Sequence, residues 1–136
     1  MAVASSRSET QIRDAICAHG DWRRALDKSI DHGVLDKSAA EIADNTQCAF
    51  GQWLTELEGE QQAGSPSMQK LEMVKRIHAR FHTEAGQIAH EVELGNHAEA
   101  RKIFDDNHFR RVTNSLVLNL HDWRKDFPSA LGASGA

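Results

Sequence analysis

The fold class of this chain is decided by residues 66–94, whose sequence is PSMQKLEMVKRIHARFHTEAGQIAHEVEL. Apolar residues and one histidine recur there at alternating steps of three and four, the spacing of one face of an α-helix. They are Leu71, Val74, His78, Phe81, Ala85, Ile88 and Val92. Pro66 suits a first helical position, where its missing N–H leaves no partner unpaired, and Ser65 can cap it. The spacing predicts one helix from Pro66 to about Leu94, ended by Gly95.

The helical period continues toward the N-terminus. A first helix is predicted over residues 8–31, opened by a capping box of Ser8 and Gln11 and ended by Gly33. Its inner stripe is Ile12, Ala15, Ile16, His19, Trp22, Leu26 and Ile30. A second, shorter helix is predicted from Cys48 to just before Gly59. Residues 34–43 stay ambiguous, because SAAE (38–41) can start a helical turn whereas the following DNTQ is typical of a turn.

Toward the C-terminus, the pattern predicts a fourth helix. It begins at Asn96, which forms a cap-and-box pair with Glu99, and continues to about Phe127, before Pro128. Its predicted buried face is Ile103, Phe104, Val112, Leu116, Leu120 and Trp123. No run of residues alternates convincingly in the manner of a strand. Four helices with short connections predict an all-α fold, an antiparallel four-helix bundle with a shorter second helix.

Length and charge narrow the class of protein. With 136 residues, the chain is predicted to be a single domain, 1–136, with an ordered core of about 8–127. Its formal net charge of −4 argues against nucleic acid or an anionic membrane as partner. No apolar run approaches a membrane span, and the start MAVASSRSE lacks the features of a signal peptide. We therefore expect a cytoplasmic protein.

Three of the predicted helices each carry a metal-binding residue type on the inner face. His78 and His82 are four residues apart, so their imidazoles share one face. His19 lies within the stripe of the first helix, and Cys48 lies near the start of the second. Bundles build metal sites from such converging side chains, and three histidines with one cysteine fill the tetrahedral shell of Zn²⁺. Taken singly, each histidine is more often a hydrogen-bonded core residue, and a buried cysteine is usually a small hydrophobe.

The chain resembles the chemoreceptor zinc-binding (CZB) domain family over roughly residues 12–125. The resemblance consists of an H-x-x-W, a C-x-x-G-x-W and an H-x-x-x-H element, formed by His19 with Trp22, by Cys48 with Gly51 and Trp53, and by His78 with His82. It implies a zinc site of His19, Cys48, His78 and His82. It also implies a regulatory role in chemotaxis or cyclic-di-GMP signalling, with zinc or oxidants such as hypochlorous acid as input, and a homodimer.

Two departures from the family pattern are informative. Many members carry an attached signalling module, and these 136 residues have no room for a methyl-accepting or cyclase domain. We therefore expect a stand-alone member that acts on a signalling protein in trans or on a second copy. Phe50 stands before Gly51, where leucine is common in the family, and should be tolerated as core.

The second cysteine is not predicted to be a ligand. Cys17 lies about 200° around the first helix from His19.

Other kinds of metal protein are less compatible with the sequence. Ferritin-like di-iron sites need Glu-x-x-His pairs, and no glutamate in this chain has a histidine three residues later. A zinc hydrolase needs an open coordination position and a base, and no HExxH motif is present. We therefore expect no enzyme activity. A sensor, with Cys48 as its switch, and a purely structural zinc site remain the main readings.

Overall fold

The computed structural model describes residues 2–60 and 66–126, in which every regular element is helical. In chain order they are α1 (Ala2–His32), α2 (Ala39–Ala43), a 3₁₀ turn (Asn45–Gln47), α3 (Ala49–Glu60), α4 (Pro66–Glu93), α5 (His97–Asp105) and α6 (Asn107–Arg124). The all-α prediction is confirmed. The predicted cap Ser65 and the predicted helix end at Phe127 and Pro128 lie outside the described ranges. No described helix is long and apolar enough to cross a membrane.

Helix α6 runs antiparallel to both α4 and α1. Lys70 near the start of α4 contacts Asp126 just after α6 at 2.8 Å, whereas Glu84 farther along α4 contacts His108 at the start of α6 at 3.1 Å. These helices are therefore antiparallel. The same holds for α1 and α6, whose contacts are Glu9 with Arg124 at 3.9 Å and Arg23 with Thr113 at 3.2 Å. Helix α3 also runs antiparallel to α4, because Glu58 pairs with Lys75 at 2.7 Å while Gly51, earlier in α3, lies beside His78. In the chain order α1, α3, α4 and α6 the direction therefore alternates, as predicted for the antiparallel bundle, and short helices are added to it.

The predicted inner stripes form the core between these helices. Leu71, Val74, Phe81, Ala85, Ile88 and Val92 of α4 are all buried. They pack with buried residues of α1, α3, α5 and α6, which include Ile12, Leu26, Leu54, Phe104, Leu116 and Trp123. Burying apolar side chains from every long helix is the main source of stability for such a bundle. The helical period read from the sequence is therefore correct at nearly every predicted core position.

The predicted fourth helix is wrong in one respect, because it is broken into α5 and α6. Asp106 has extended backbone angles (φ −63°, ψ 140°) and ends the first of these helices. Its side chain accepts a hydrogen bond from His108 N, so the same residue caps the second. A short acidic side chain competes well for backbone N–H groups, which favours a cap over a helix interior.

Two predicted caps also differ from the structure. The first helix already begins at Ala2, so Ser8 lies inside it and not at its start. The residues before Ser8 carry no helix-breaking signal. Asn96 precedes α5 but makes no side-chain cap bond. Its amide instead donates to Glu91 at 2.9 Å, a carboxylate of the preceding helix. The predicted helix ends at Gly33 and Gly95 are confirmed, with φ of +74° and +80°.

The ambiguous segment after the first helix resolves into α2 and the 3₁₀ turn. Ser38 caps α2, since its side chain accepts a hydrogen bond from Glu41 N at 3.1 Å. The Asp44 side chain accepts from Thr46 N at 2.9 Å and opens the 3₁₀ turn. The next helix then includes Gly59, which was predicted to end it. The short α2 packs on α4 and brings the chain back to the middle of the bundle, where Cys48 lies.

Candidate metal centre

Four side chains from three helical segments converge in the middle of the bundle. One donor atom each from His19, Cys48, His78 and His82 lies within 4.8 Å of the others, and all four residues are buried. His19 comes from α1, Cys48 from the residue before α3, and both His78 and His82 from α4. The four residues that the sequence singled out are therefore brought together, in a cluster that could hold a metal ion.

Backbone carbonyls orient two of the histidine rings. His19 Nδ1 lies 2.7 Å from the carbonyl oxygen of Ala15, one turn earlier in the same helix. His82 Nδ1 lies 2.9 Å from the carbonyl oxygen of Ile42 in α2. Since a carbonyl only accepts, each Nδ1 carries the proton and each Nε2 presents a lone pair. This arrangement is the one that histidine ligands of metal ions usually adopt.

The Nε2 atoms of His78 and His82 face each other at 3.1 Å. Two bare ring nitrogens repel at this distance unless a proton or a cation lies between them. His78 Nδ1 is also buried and has no hydrogen-bond partner. Such an unsatisfied group costs about 1–3 kcal/mol and calls for an explanation. A cation within the cluster would explain why so many ring nitrogens crowd together.

Burial keeps the three histidines neutral. Desolvation lowers the pKa of His19 to about 4, against the hydrogen bond to Ala15, which acts in the opposite direction. Desolvation, together with the neighbouring His19 and His82, lowers the pKa of His78 to about 2. Desolvation also lowers the pKa of His82. At neutral pH each ring therefore has a lone pair, the form that binds metal ions.

Aromatic side chains enclose the cluster. Phe50 meets the His78 ring edge-on, with ring centroids 5.1 Å apart, and Phe81 meets the His19 ring in the same way at 5.2 Å. Trp22 covers His82 at 5.1 Å. Phe50 is buried, as predicted for a phenylalanine before Gly51. These rings keep water from the histidine nitrogens, which strengthens electrostatic interactions inside the cluster.

Cys48 lies at the edge of the cluster. Its carbonyl accepts a hydrogen bond from Gln52 N at 3.0 Å, so it caps the start of α3. Its Sγ lies 4.0 Å from His19 Nε2. All four residues are buried; Cys48 is 8% exposed whereas the three histidines are 0% exposed.

Gly51 makes room for the cluster. A Cβ atom at this position would lie 1.9 Å from the backbone oxygen of Asn45 and 3.2 Å from His78 Cε1. The glycine therefore allows the 3₁₀ turn to lie against α3 while the His78 ring occupies the space behind it.

The donor set fits a zinc ion. Tetrahedral bonds of about 2.0–2.3 Å place neighbouring donors about 3.3–3.8 Å apart. The separations of 3.1 Å between His78 and His82 and 4.0 Å between His19 and Cys48 lie on either side of this range. Imidazole and thiolate suit zinc, whereas calcium and magnesium prefer oxygen ligands.

The second cysteine and the remaining histidines lie outside the cluster. Cys17 is exposed and does not belong to it. The other histidines, namely His32, His90, His97, His108 and His121, are all exposed. Sequence reasoning missed the carbonyls of Ala15 and Ile42. The first could have been found, since it lies four residues before His19 in one helix, whereas no local signal links Ile42 to His82.

Comparison with protein families agrees with this geometry. A family model described as "CZB: Chemoreceptor zinc-binding domain" matches residues 19–89, more than half of the chain. The match begins at His19 and includes Cys48, His78 and His82. It runs from the middle of α1 to most of α4, a shorter range than the resemblance predicted from the motifs. No curated protein and no solved structure matched the chain.

Proposed function

The chain belongs to the chemoreceptor zinc-binding domain family, and we propose that it binds one Zn²⁺ ion through His19, Cys48, His78 and His82. The observation that carries this proposal is the convergence of four buried donor atoms within 4.8 Å. His19 and His82 would bind through Nε2, because Nδ1 of each is engaged by a carbonyl. The bound ion supplies a positive charge that holds the sulfur as thiolate and links α1, α3 and α4.

We propose further that the chain is a cytoplasmic sensory domain in which Cys48 is the switch. Of the four residues, Cys48 is the one that is not completely buried. A thiolate attacks hypochlorous acid to give a sulfenic acid and chloride: the sulfur loses two electrons and gains the oxygen and its hydrogen, while the chlorine gains the electrons. The neutral product is a weaker ligand than the thiolate. Oxidation would therefore release zinc and remove the link between the helices.

The output of this sensor is proposed to pass to a second copy of the chain or to a chemotaxis or cyclic-di-GMP signalling protein. Within the described ranges, four large apolar side chains are well exposed and available to a partner: Val34, Met73, Leu94 and Leu118. Two of them lie on the long helices α4 and α6. A homodimer would be compatible with this surface.

A purely structural zinc is the main alternative. It is favoured by the complete burial of the three histidines, which makes the ion hard to reach. In that case removing zinc unfolds the bundle, and mild oxidation leaves the ion in place. A metalloenzyme is less compatible, because four protein ligands fill the tetrahedral shell and leave no position for a substrate water.

Metal content tests the site. The protein is purified without chelator or nickel resin and measured by mass spectrometry as wild type, Cys48→Ala and Cys17→Ala. The exposed Cys17 provides the matched control. We expect about one zinc per chain in the wild type and the control, and clearly less in Cys48→Ala. Wild-type protein without zinc, or a zinc content that does not depend on Cys48, would refute the proposed ligands.

Zinc release then separates sensing from a structural role. A chromogenic chelator reports zinc freed by equimolar hypochlorous acid, and circular dichroism follows the helices. We expect release from both the wild type and Cys17→Ala while most of the helical signal remains. Retention of zinc, or release only together with global unfolding, would favour the structural alternative.

A further inference from the structure

We propose that Gly86 is a positioning residue of the zinc site: its missing side chain lets α2 dock on α4 so that the Ile42 carbonyl can orient His82. Gly86 lies one turn after His82 on α4, and Ile42 lies in α2. This inference rests on the proposed zinc binding, to which it adds a residue that touches no ligand atom.

The contact at Gly86 is too close for any side chain. A Cβ atom there would lie 2.5 Å from Ala43 Cβ, 2.9 Å from Ala43 Cα and 3.1 Å from Ala43 N. Two of these atoms belong to the backbone, so rotation of a side chain cannot relieve the overlap. A residue larger than glycine must therefore push α2 away from α4. Glycine is a poor helix former in a helix interior, and this close contact accounts for its presence.

A shift of α2 would displace Ala43, which is next to the residue that orients His82. Ile42 directly precedes Ala43, and its carbonyl oxygen lies 2.9 Å from His82 Nδ1. This contact holds the proton on Nδ1 and leaves the lone pair on Nε2, toward the other donors. Such outer contacts typically change metal affinity by 10–100-fold when they are removed.

The contact with α4 is the main one that holds α2 in this position. The helix has five residues, far fewer than an isolated helix needs for stability. At its start, Ala39 N donates to Glu93 Oε2 at 2.9 Å; in its last turn, Ala43 meets Gly86 and Ile42 meets His82. A change at Gly86 would therefore act on the end of α2 that contacts His82.

His19 offers an internal comparison. Its Nδ1 is engaged by Ala15 within the same helix, so its orientation does not depend on α2. A substitution at Gly86 should therefore disturb His82 and leave the His19 ring unchanged. This asymmetry distinguishes a positioning role from a general loosening of the bundle.

The test compares Gly86→Ala with Gly59→Ala. Gly59 lies in α3, and a Cβ atom there meets nothing within 4 Å, so the second variant has the same chemical change without the contact. We expect the zinc dissociation constant, measured by competition with a chromogenic chelator, to rise roughly 10–100-fold in Gly86→Ala. It should stay within about twofold of the wild type in Gly59→Ala. Equal affinities in all three proteins would overturn the proposal.

A second readout uses the metal-free protein. Nitrogen-15 NMR of the imidazoles reports which ring nitrogen carries the proton. We expect His82 to be protonated on Nδ1 in the wild type and to lose this preference in Gly86→Ala, while His19 keeps it in both. An unchanged His82 would overturn the inference. If the wild type binds no zinc, the proposed function fails, whereas this readout still decides whether Gly86 positions His82.

A double variant covers the case in which Gly86→Ala does not fold. Adding Ala43→Gly removes the nearest of the overlapping atoms. We expect Gly86→Ala with Ala43→Gly to recover helical content and part of the zinc affinity. A double variant as impaired as Gly86→Ala alone would contradict the proposed contact.

Discussion

At the scale of single residues, the three histidines of the cluster are held in three different ways. His19 is oriented by its own helix through Ala15, and His82 by another element through Ile42. His78 Nδ1 has no hydrogen-bond partner. Neutral imidazoles held in an apolar core are costly to protonate, so low pH should destabilise the folded state.

The lowered pKa values of His19 and His78 predict how the metal-free protein responds to acid. Their folded values of about 4 and about 2 lie below the ordinary value of 6.5, so the unfolded chain binds more protons between these limits. Their contribution to stability is therefore complete above pH 6.5 and is lost as the pH falls. Each fully lowered histidine contributes a slope on the order of 1 kcal/mol per pH unit.

Urea unfolding of the metal-free protein at pH 7.5, 6.5, 5.5 and 5 checks this expectation. His78→Leu should weaken the pH dependence of the free energy of unfolding by roughly the contribution of one proton taken up on unfolding. The control is His121→Gln, since His121 is exposed and lies outside the cluster. A wild-type free energy of unfolding that stays constant between pH 6.5 and 5 would show that the histidines are not buried as described.

At the scale of elements, caps decide where helices begin and end. Asp106 interrupts what the hydrophobic period predicts as one long helix, and Ser38 starts a helix of five residues. Both follow from short polar side chains that bind backbone N–H groups. Of these two capped helices, α2 contacts the cluster, through Ile42, and α6 does not. The two caps should therefore differ in their effect on zinc affinity.

Asp106→Ala should destabilise the fold by about 0.5–2 kcal/mol, because the first turn of α6 loses its side-chain acceptor. Asp105→Ala is the matched control, since Asp105 is an exposed neighbour whose ion pair with Arg101 is 3.8 Å long. Urea unfolding in chelator measures both. Zinc affinity should not change in either variant, because α5 and α6 carry no member of the cluster. A weaker zinc site in Asp106→Ala would mean that the break between these helices also positions the donors.

At the scale of the whole molecule, the candidate centre joins elements that are otherwise linked mainly by apolar contacts. His19, Cys48 and the pair on α4 lie in segments far apart in the sequence. An ion bound to all of them would favour the folded state, since the unfolded chain does not hold the four donors together. Zinc binding and global stability should therefore be linked.

Zinc should raise the stability of the wild type by about 3 kcal/mol when free zinc is 100 times the dissociation constant. Thermal unfolding with buffered zinc and with chelator measures this difference. We expect the same increase in Cys17→Ala and a much smaller one in Cys48→Ala. Equal unfolding temperatures with and without zinc in the wild type would contradict binding to the folded state.

Much of the architecture is accessible from local sequence. The stripe of α4 and the helix ends at Gly33 and Gly95 depend on neighbours three or four residues away, and these predictions are confirmed. The break at Asp106 was missed although its cause is local, because the apolar period continues across it. The four residues of the cluster were found from residue type and spacing, since buried histidines are unusual and stand out within apolar stripes.

The sequence by itself determined the helical class, the inner faces and the identity of the four converging residues, because helical periodicity and side-chain chemistry are properties of short segments. Only the tertiary structure decided how α2 docks at Gly86, how the 3₁₀ turn lies on Gly51 and which carbonyl orients His82. Ile42 and His82 are 40 residues apart, and α2 is too short to be stable alone. Their contact exists because the packing of the bundle holds both in place.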